Sequence, residues 1–244
     1  MTTINLEIAK KVLAIVDAGL VKGVGEAVPG KMCVEAAVCF AMGLPHGDDP
    51  ECVSRPLRSL KIRLNDSNWS SPEARSKGLR RLALIQLGSR DALDDKEFVR
   101  RVVDLAIRKQ VPIALRAAAS VQKNSKHKAA LLDAATRCEK EGTREAAIEA
   151  KKAAAYAADA AYAADAAYAA AAYAADAADA DAAAAAAYAA ADAAYAAAAA
   201  DAAYAAEKWD SVLSAFAEDV VQILIDMNAP GAQWLDLAPA ELAA

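Results

Sequence analysis

Residues 153–206 read AAAYAADAAYAADAAYAAAAYAADAADADAAAAAAYAAADAAYAAAAADAAYAA, and their composition decides the fold. The run has no Gly, Pro, Lys or Arg, and its only polar residues are Asp and Tyr. Ala has the strongest helix propensity, so helix is the one regular structure this run supports. An α-helix turns about 100° per residue, so each Ala-Ala-Tyr or Ala-Ala-Asp triplet slips back by about 60°. Tyr156, Tyr162 and Tyr168 therefore stand about 120° apart around the axis. Asp159, Asp165, Asp176, Asp179, Asp181, Asp192 and Asp201 scatter around the cylinder in the same way. No face is purely apolar, which excludes an ordinary core helix, and the period is not that of a coiled coil. An ice-binding surface would need one flat repeated face, which is missing.

As one helix the run would be about 80 Å long. Turn residues are absent, and only the Asp-rich stretch 176–181 offers a break, with Asp179 or Asp181 as a new cap. The expectation is a long helix, or two nearly collinear ones, serving as a spacer or as a recognition surface.

The flanking chain is also helical in pattern. Residues 5–18 carry Leu6, Val12, Leu13 and Val16 at helical spacing, followed by a Gly-rich loop up to Pro29-Gly30. KGVGE lacks the Lys-Ser/Thr ending of a phosphate-binding loop. Further helices are expected over KMCVEAAVCFAMG, over 51–65 behind Pro50, and from Ser71-Pro72 to about Leu87. Others follow over 94–109, over 112–122 from Pro112, and over 126–141 up to Gly142. Thr143 and Glu145 open the Ala-rich helix. Beyond it, Trp209, Val212, Leu213, Phe216, Val220, Ile223, Leu224 and Met227 mark a core helix expected to fold back on the N-terminal helices. No strand-like alternation occurs, so the fold class is all-α. The expected segments are a basic helical domain at 1–142, the Ala-rich acidic helix at 143–208, and a C-terminal helix and tail at 209–244.

The net charge of −5 hides an asymmetry: residues 1–152 hold 27 Lys and Arg against 19 Asp and Glu, whereas 153–244 hold only Lys208 against 14 acidic residues. The halves are thus +8 and −13, a distribution that speaks about partners and not about fold. No segment has the ~20 strongly apolar residues of a membrane span. Four Cys behind an N-terminus without the layout of an export signal imply reduced thiols and a cytoplasmic protein of a bacterium or phage.

Three constellations bear on function. Cys33, behind Pro29-Gly30-Lys31, stands at an expected helix N-terminus, where the helix dipole and Lys31 would favour a thiolate, with His46 as the base. The plainer reading makes Cys33 and Cys39 small buried residues of an apolar helix. Cys33, Cys39, His46 and Cys52 are spaced six, seven and six apart, unlike structural zinc ligands, so neither metal nor cofactor is expected. His46-Gly47-Asp48-Asp49 reads as a turn in which Asp48 or Asp49 caps the helix behind Pro50, the alternative being a functional loop that contacts a partner. Arg55, Arg58, Lys61, Arg63, Arg75, Lys77, Arg80 and Arg81, with the Lys and Arg residues of 100–109 and 123–128, form a basic footprint able to follow a phosphate backbone or an acidic protein, unless they are an ordinary solvated surface. Trp69 is expected to pack under its loop.

The Ala-Ala-Tyr/Asp run with its Trp-containing apolar helix, residues 150–227, resembles the C-terminal part of Ala-rich bacterial proteins of the immunity type. PGKMCVEAAVCFAMGLPHGDDPECV and IRLNDSNWSSPEARSKGL resemble bacterial proteins of unassigned function. The immunity resemblance implies a protein that binds and neutralises a partner and performs no catalysis. The reading is therefore an interaction protein using charge-complementary surfaces, with the Asp series facing a basic partner. The alternatives are a nucleic-acid-binding protein using the basic helices and a thiol hydrolase using Cys33.

Overall fold

The computed structural model describes residues 4–157, 167, 169–171, 188, 191–192, 195 and 205–240. The fold is all-α: among the described residues every regular element is helical, and pairing of extended backbone is confined to isolated bridges of Met32 with Leu20 and Gly25. The chain divides into two compact units, 1–98 with 217–244, and 99–216. This division cuts through the expected 1–142 segment. Most of the Ala-rich run, including the stretch 176–181, lies outside the described residues; the isolated described positions within it are helical.

The first unit holds α1 (Leu6–Asp17), α2 (Val34–Met42), α3 (Arg55–Asn65), α4 (Pro72–Ile85) and the 3₁₀ segment Pro230–Leu237. Asn5 caps α1 by accepting from the Ile8 N–H at 3.0 Å. The buried face of α1 is Ala9, Val12, Ile15 and Val16. Leu6, expected inside, is exposed because it is the first helical residue and precedes the packed turns. Ser71 caps α4 with Pro72 in its first turn, as expected, and accepts from Ala74 N–H at 3.1 Å. The helix expected over 51–65 starts only at Arg55, with Pro56 in its first turn, where a missing N–H costs nothing. Ser54 occupies its N-cap, so Asp48 and Asp49 are not its caps. Trp69 is buried and donates its indole N–H to Leu64 O at 2.9 Å. α1 packs on α2 and α4, α2 on α3, and the 3₁₀ segment on α4.

The second unit is built around α6 (Val111–Val121), α7 (Ser125–Glu141) and α8 (Arg144–Ala157), with α6 packed on α7 and α7 on α8. α5 (Asp95–Leu105) leads into it through a π-helical turn, Ala106–Gln110, so that helix continues past Pro112 where a break was expected. Pro112 has no N–H to give and its ring displaces the carbonyl four residues back; the wider turn, in which Val111 N–H donates to Ala106 O, absorbs the mismatch. Gly142 ends α7 in the left-handed region, φ 62°. Arg108 caps the same end, donating to the carbonyls of Glu139, Lys140 and Glu141 at 2.8 Å each. α9 (Ala205–Asp226) contributes Leu213 and Phe216 to this unit's buried residues, and Val220, Val221 and Leu224 to those of the first.

Candidate functional site

The Cys33–His46 pair expected of a thiol hydrolase does not assemble. Cys33 is itself the N-cap of α2, its Sγ accepting from Ala36 N–H at 3.3 Å. Burial pushes the thiol up, and this outweighs the N–H groups of Ala36 and Glu35 that favour the thiolate. Lys31 turns to Glu26, 3.3 Å away, and His46 Nε2 bonds Gly25 O at 3.0 Å. Cys39 is pushed up to about 12 and Cys138 to about 11, both mainly by burial, and all four thiols are free and buried. Cys33 is therefore expected to alkylate slowly with iodoacetamide at neutral pH and rapidly once the chain is unfolded. Fast labelling of the native protein, located at Cys33 by mass spectrometry, would restore the hydrolase reading.

The basic footprint on α3 and α4 is largely consumed by internal pairing. Lys61 is fully buried, with its Nζ 2.9 Å from Glu35 Oε1, and Glu35 is fully buried too. Arg75 is buried and donates from Nε to Asn65 O at 2.8 Å and from Nη1 to Leu20 O at 3.1 Å. Arg58 clasps Asp48 at 2.7 Å and lies 3.4 Å from Asp49, which gives these aspartates their role. Arg80 binds Asp17 through two bonds of 2.7 and 3.0 Å. Arg81 reaches Glu218 at 3.0 Å and the carbonyl of Ala238 at 2.8 Å. Arg55, Arg63 and Lys77 are the members that face solvent.

No protein-family model, curated protein or solved structure matches this chain. Its chemistry has to be read from its own residues.

The Glu35–Lys61 pair is the feature that sequence reading missed. Helix α2 places Glu35 one residue inside its N-terminus, between Val34 and Ala36, and its apolar length drags the carboxylate into the core. Beyond the 2.9 Å ion contact, no well-directed hydrogen bond satisfies either Glu35 oxygen or the Lys61 ammonium. Burial raises the Glu35 carboxyl and lowers the Lys61 ammonium, and the attraction of each for the other opposes the shift. The one available signal was a lone Glu in the apolar run KMCVEAAVCFAMG. Among the described residues no three His, Cys, Asp or Glu side chains gather as metal ligands, and no helix is long and apolar enough to cross a membrane.

Of the seven aspartates expected to face a basic partner, Asp192 alone is described. It is half-buried, its Oδ2 has no hydrogen-bond partner among the described residues, and desolvation pushes it up to about 6, so it is not a solvated contact. Asp159, Asp165, Asp176, Asp179, Asp181 and Asp201 lie outside the described residues. In the second unit, Arg116 pairs with Glu139 and Lys152 with Glu149. Lys123, Lys126 and Lys128, around the start of α7, are exposed and have no ion pair among the described residues. They belong to the basic footprint expected from the sequence, at its 123–128 stretch.

Proposed function

We propose that the protein is a non-enzymatic interaction protein whose acidic C-terminal part, residues 153–244, holds a basic partner protein and inhibits or neutralises it. The observation that carries this reading is a difference in how the two charges are balanced. Arg58, Lys61, Arg75, Arg80 and Arg81 of α3 and α4 are tied to partners of their own chain. The acidic part has 14 carboxylates and a single cation, Lys208. Such an excess raises the encounter rate with a positive surface and steers its orientation, in a salt-dependent way. A segment with so many carboxylates can also stand in for the negative charge of a nucleic acid. The closed environment of Cys33 supports binding over thiol chemistry.

The test is affinity capture by the full chain from a lysate of its source cells, at low and at high salt. The expected result is a basic protein retained in stoichiometric amount at low salt and released at high salt. The same capture by a variant with Asp159, Asp165, Asp176, Asp179, Asp181 and Asp201 replaced by Asn is expected to fail. Equal capture by that variant would remove the acidic part from the proposal.

A further inference from the structure

The second unit carries a cationic corner of its own. Residues 99–157 hold 13 Lys and Arg against 6 Asp and Glu. Several of these cations are neutralised in place: Arg108 by Asp104, Arg116 by Glu139, Arg137 by Glu141 and Lys152 by Glu149. Lys123, Lys126 and Lys128 have no ion pair among the described residues, and all three are exposed. Between the first two, Asn124 and Ser125 add neutral polar groups, and no acidic residue occupies the first turn of α7.

A second observation concerns the ring next to this corner. Gln122 is buried, and its Nε2 donates to Ala157 O at 3.3 Å while its Oε1 accepts from Asn124 N–H at 2.9 Å. One buried amide thus pins the α6–α7 corner to the last residue of α8. Lys123 follows Gln122 and Tyr156 precedes Ala157, so the two flank one hydrogen bond. Tyr156 is 75% exposed, the most exposed of the large hydrophobic side chains described. An exposed aromatic ring offers a π-face on which a base can stack.

We propose that this corner binds single-stranded nucleic acid without sequence preference, Lys123, Lys126 and Lys128 contacting phosphates and Tyr156 stacking on a base. Exposed ammonium groups and an exposed ring on segments joined by the Gln122–Ala157 bond are what an unpaired strand needs; a duplex offers phosphates but no free base face. An acidic protein would use the lysines and leave the ring idle. The excess of acidic charge on the rest of the chain, −5 overall, opposes long-range attraction, so binding is expected only at low salt. The inference goes beyond the reading above and does not depend on it, because the two use different charges of the chain.

The test titrates the full chain against a labelled oligothymidine strand by fluorescence anisotropy, from about 50 mM to 200 mM NaCl. Replacing Lys123, Lys126 and Lys128 together by Ala is expected to flatten the slope of log affinity against log salt by about 2, since each phosphate contact on a single strand contributes ~0.7. Tyr156→Ala is expected to weaken binding roughly 5- to 100-fold, with Tyr156→Phe near wild type, because the ring does the stacking. A control pair, Lys22→Ala with Arg55→Ala, removes two exposed cations of the first unit and is expected to leave affinity and slope unchanged. All these side chains are exposed, so helicity by circular dichroism should match the parent. No binding at low salt, or an unchanged slope in the triple Lys variant, overturns the proposal. So does a duplex bound as tightly as the strand with Tyr156→Ala indifferent. Each of these outcomes leaves the basic-partner reading standing.

Discussion

Lys61→Met is expected to destabilise the protein by about 3–5 kcal/mol, as removing one partner of a buried ion pair does. The substitution roughly preserves volume and leaves the Glu35 carboxylate fully buried with only the weaker attraction of Arg58. A carboxyl whose folded-state value is raised contributes stability that is present below its unfolded value, near 4.5, and is lost as pH rises through the folded value. Burial raises Glu35, and with Lys61 gone nothing comparable opposes that. The deficit of Lys61→Met should therefore be largest at neutral pH and shrink towards pH ~5. The double variant Lys61→Met with Glu35→Leu should recover most or all of the loss, because a packed apolar pair avoids both desolvation penalties. Urea unfolding of the three variants at both pH values makes the comparison. A single variant as stable as the parent at neutral pH would show that the pair is not a closed ionic contact.

Arg75→Met is expected to cost about 3 kcal/mol or more, from two hydrogen bonds of a charged donor at ~1.5–3 kcal/mol each. The guanidinium joins Asn65 O at the end of α3 to Leu20 O at the start of the Gly-rich loop. Asn65 extends that brace by donating to Val21 O at 2.9 Å and accepting from Val34 N–H at 3.3 Å. Amide exchange should therefore quicken at the Val21, Glu26 and Cys33 N–H groups, which bond Met32 O, Lys31 O and Val24 O within the loop. The loop has little freedom to adapt: at Gly25, φ 72°, a Cβ would stand 2.0 Å from Lys31 O. A variant that loses less than about 1 kcal/mol and keeps its exchange pattern would mean the brace is redundant.

Much of the fold was legible because helix signals are local. The Ser71 cap, the left-handed Gly142 and the apolar spacing of α1 act within a few residues and could be read directly. Pro112 opens α6 as its position suggested, but whether a break precedes it depends on whether the surrounding helices hold the chain together across it. Here a π-helical turn keeps the helix going. The candidate sites were far less legible. A Lys or Arg at helical spacing reads as a wet face, and nothing in one helix reveals the Glu, Asp or carbonyl that another element brings to it.

The sequence by itself determined the helical class, most of the helix starts and stops, and the opposed charges of the two ends, since propensity, capping and charge count need no partner. Only the tertiary structure decided which charges are available. It enclosed Lys61 with Glu35, joined Arg75 to two carbonyls, closed Cys33 behind its own cap, and left Lys123, Lys126 and Lys128 in solvent. The physical reason is that burial and pairing are properties of residues distant in sequence. Glu35 and Lys61 lie on different helices, and their desolvation arises only when α2 packs against α3.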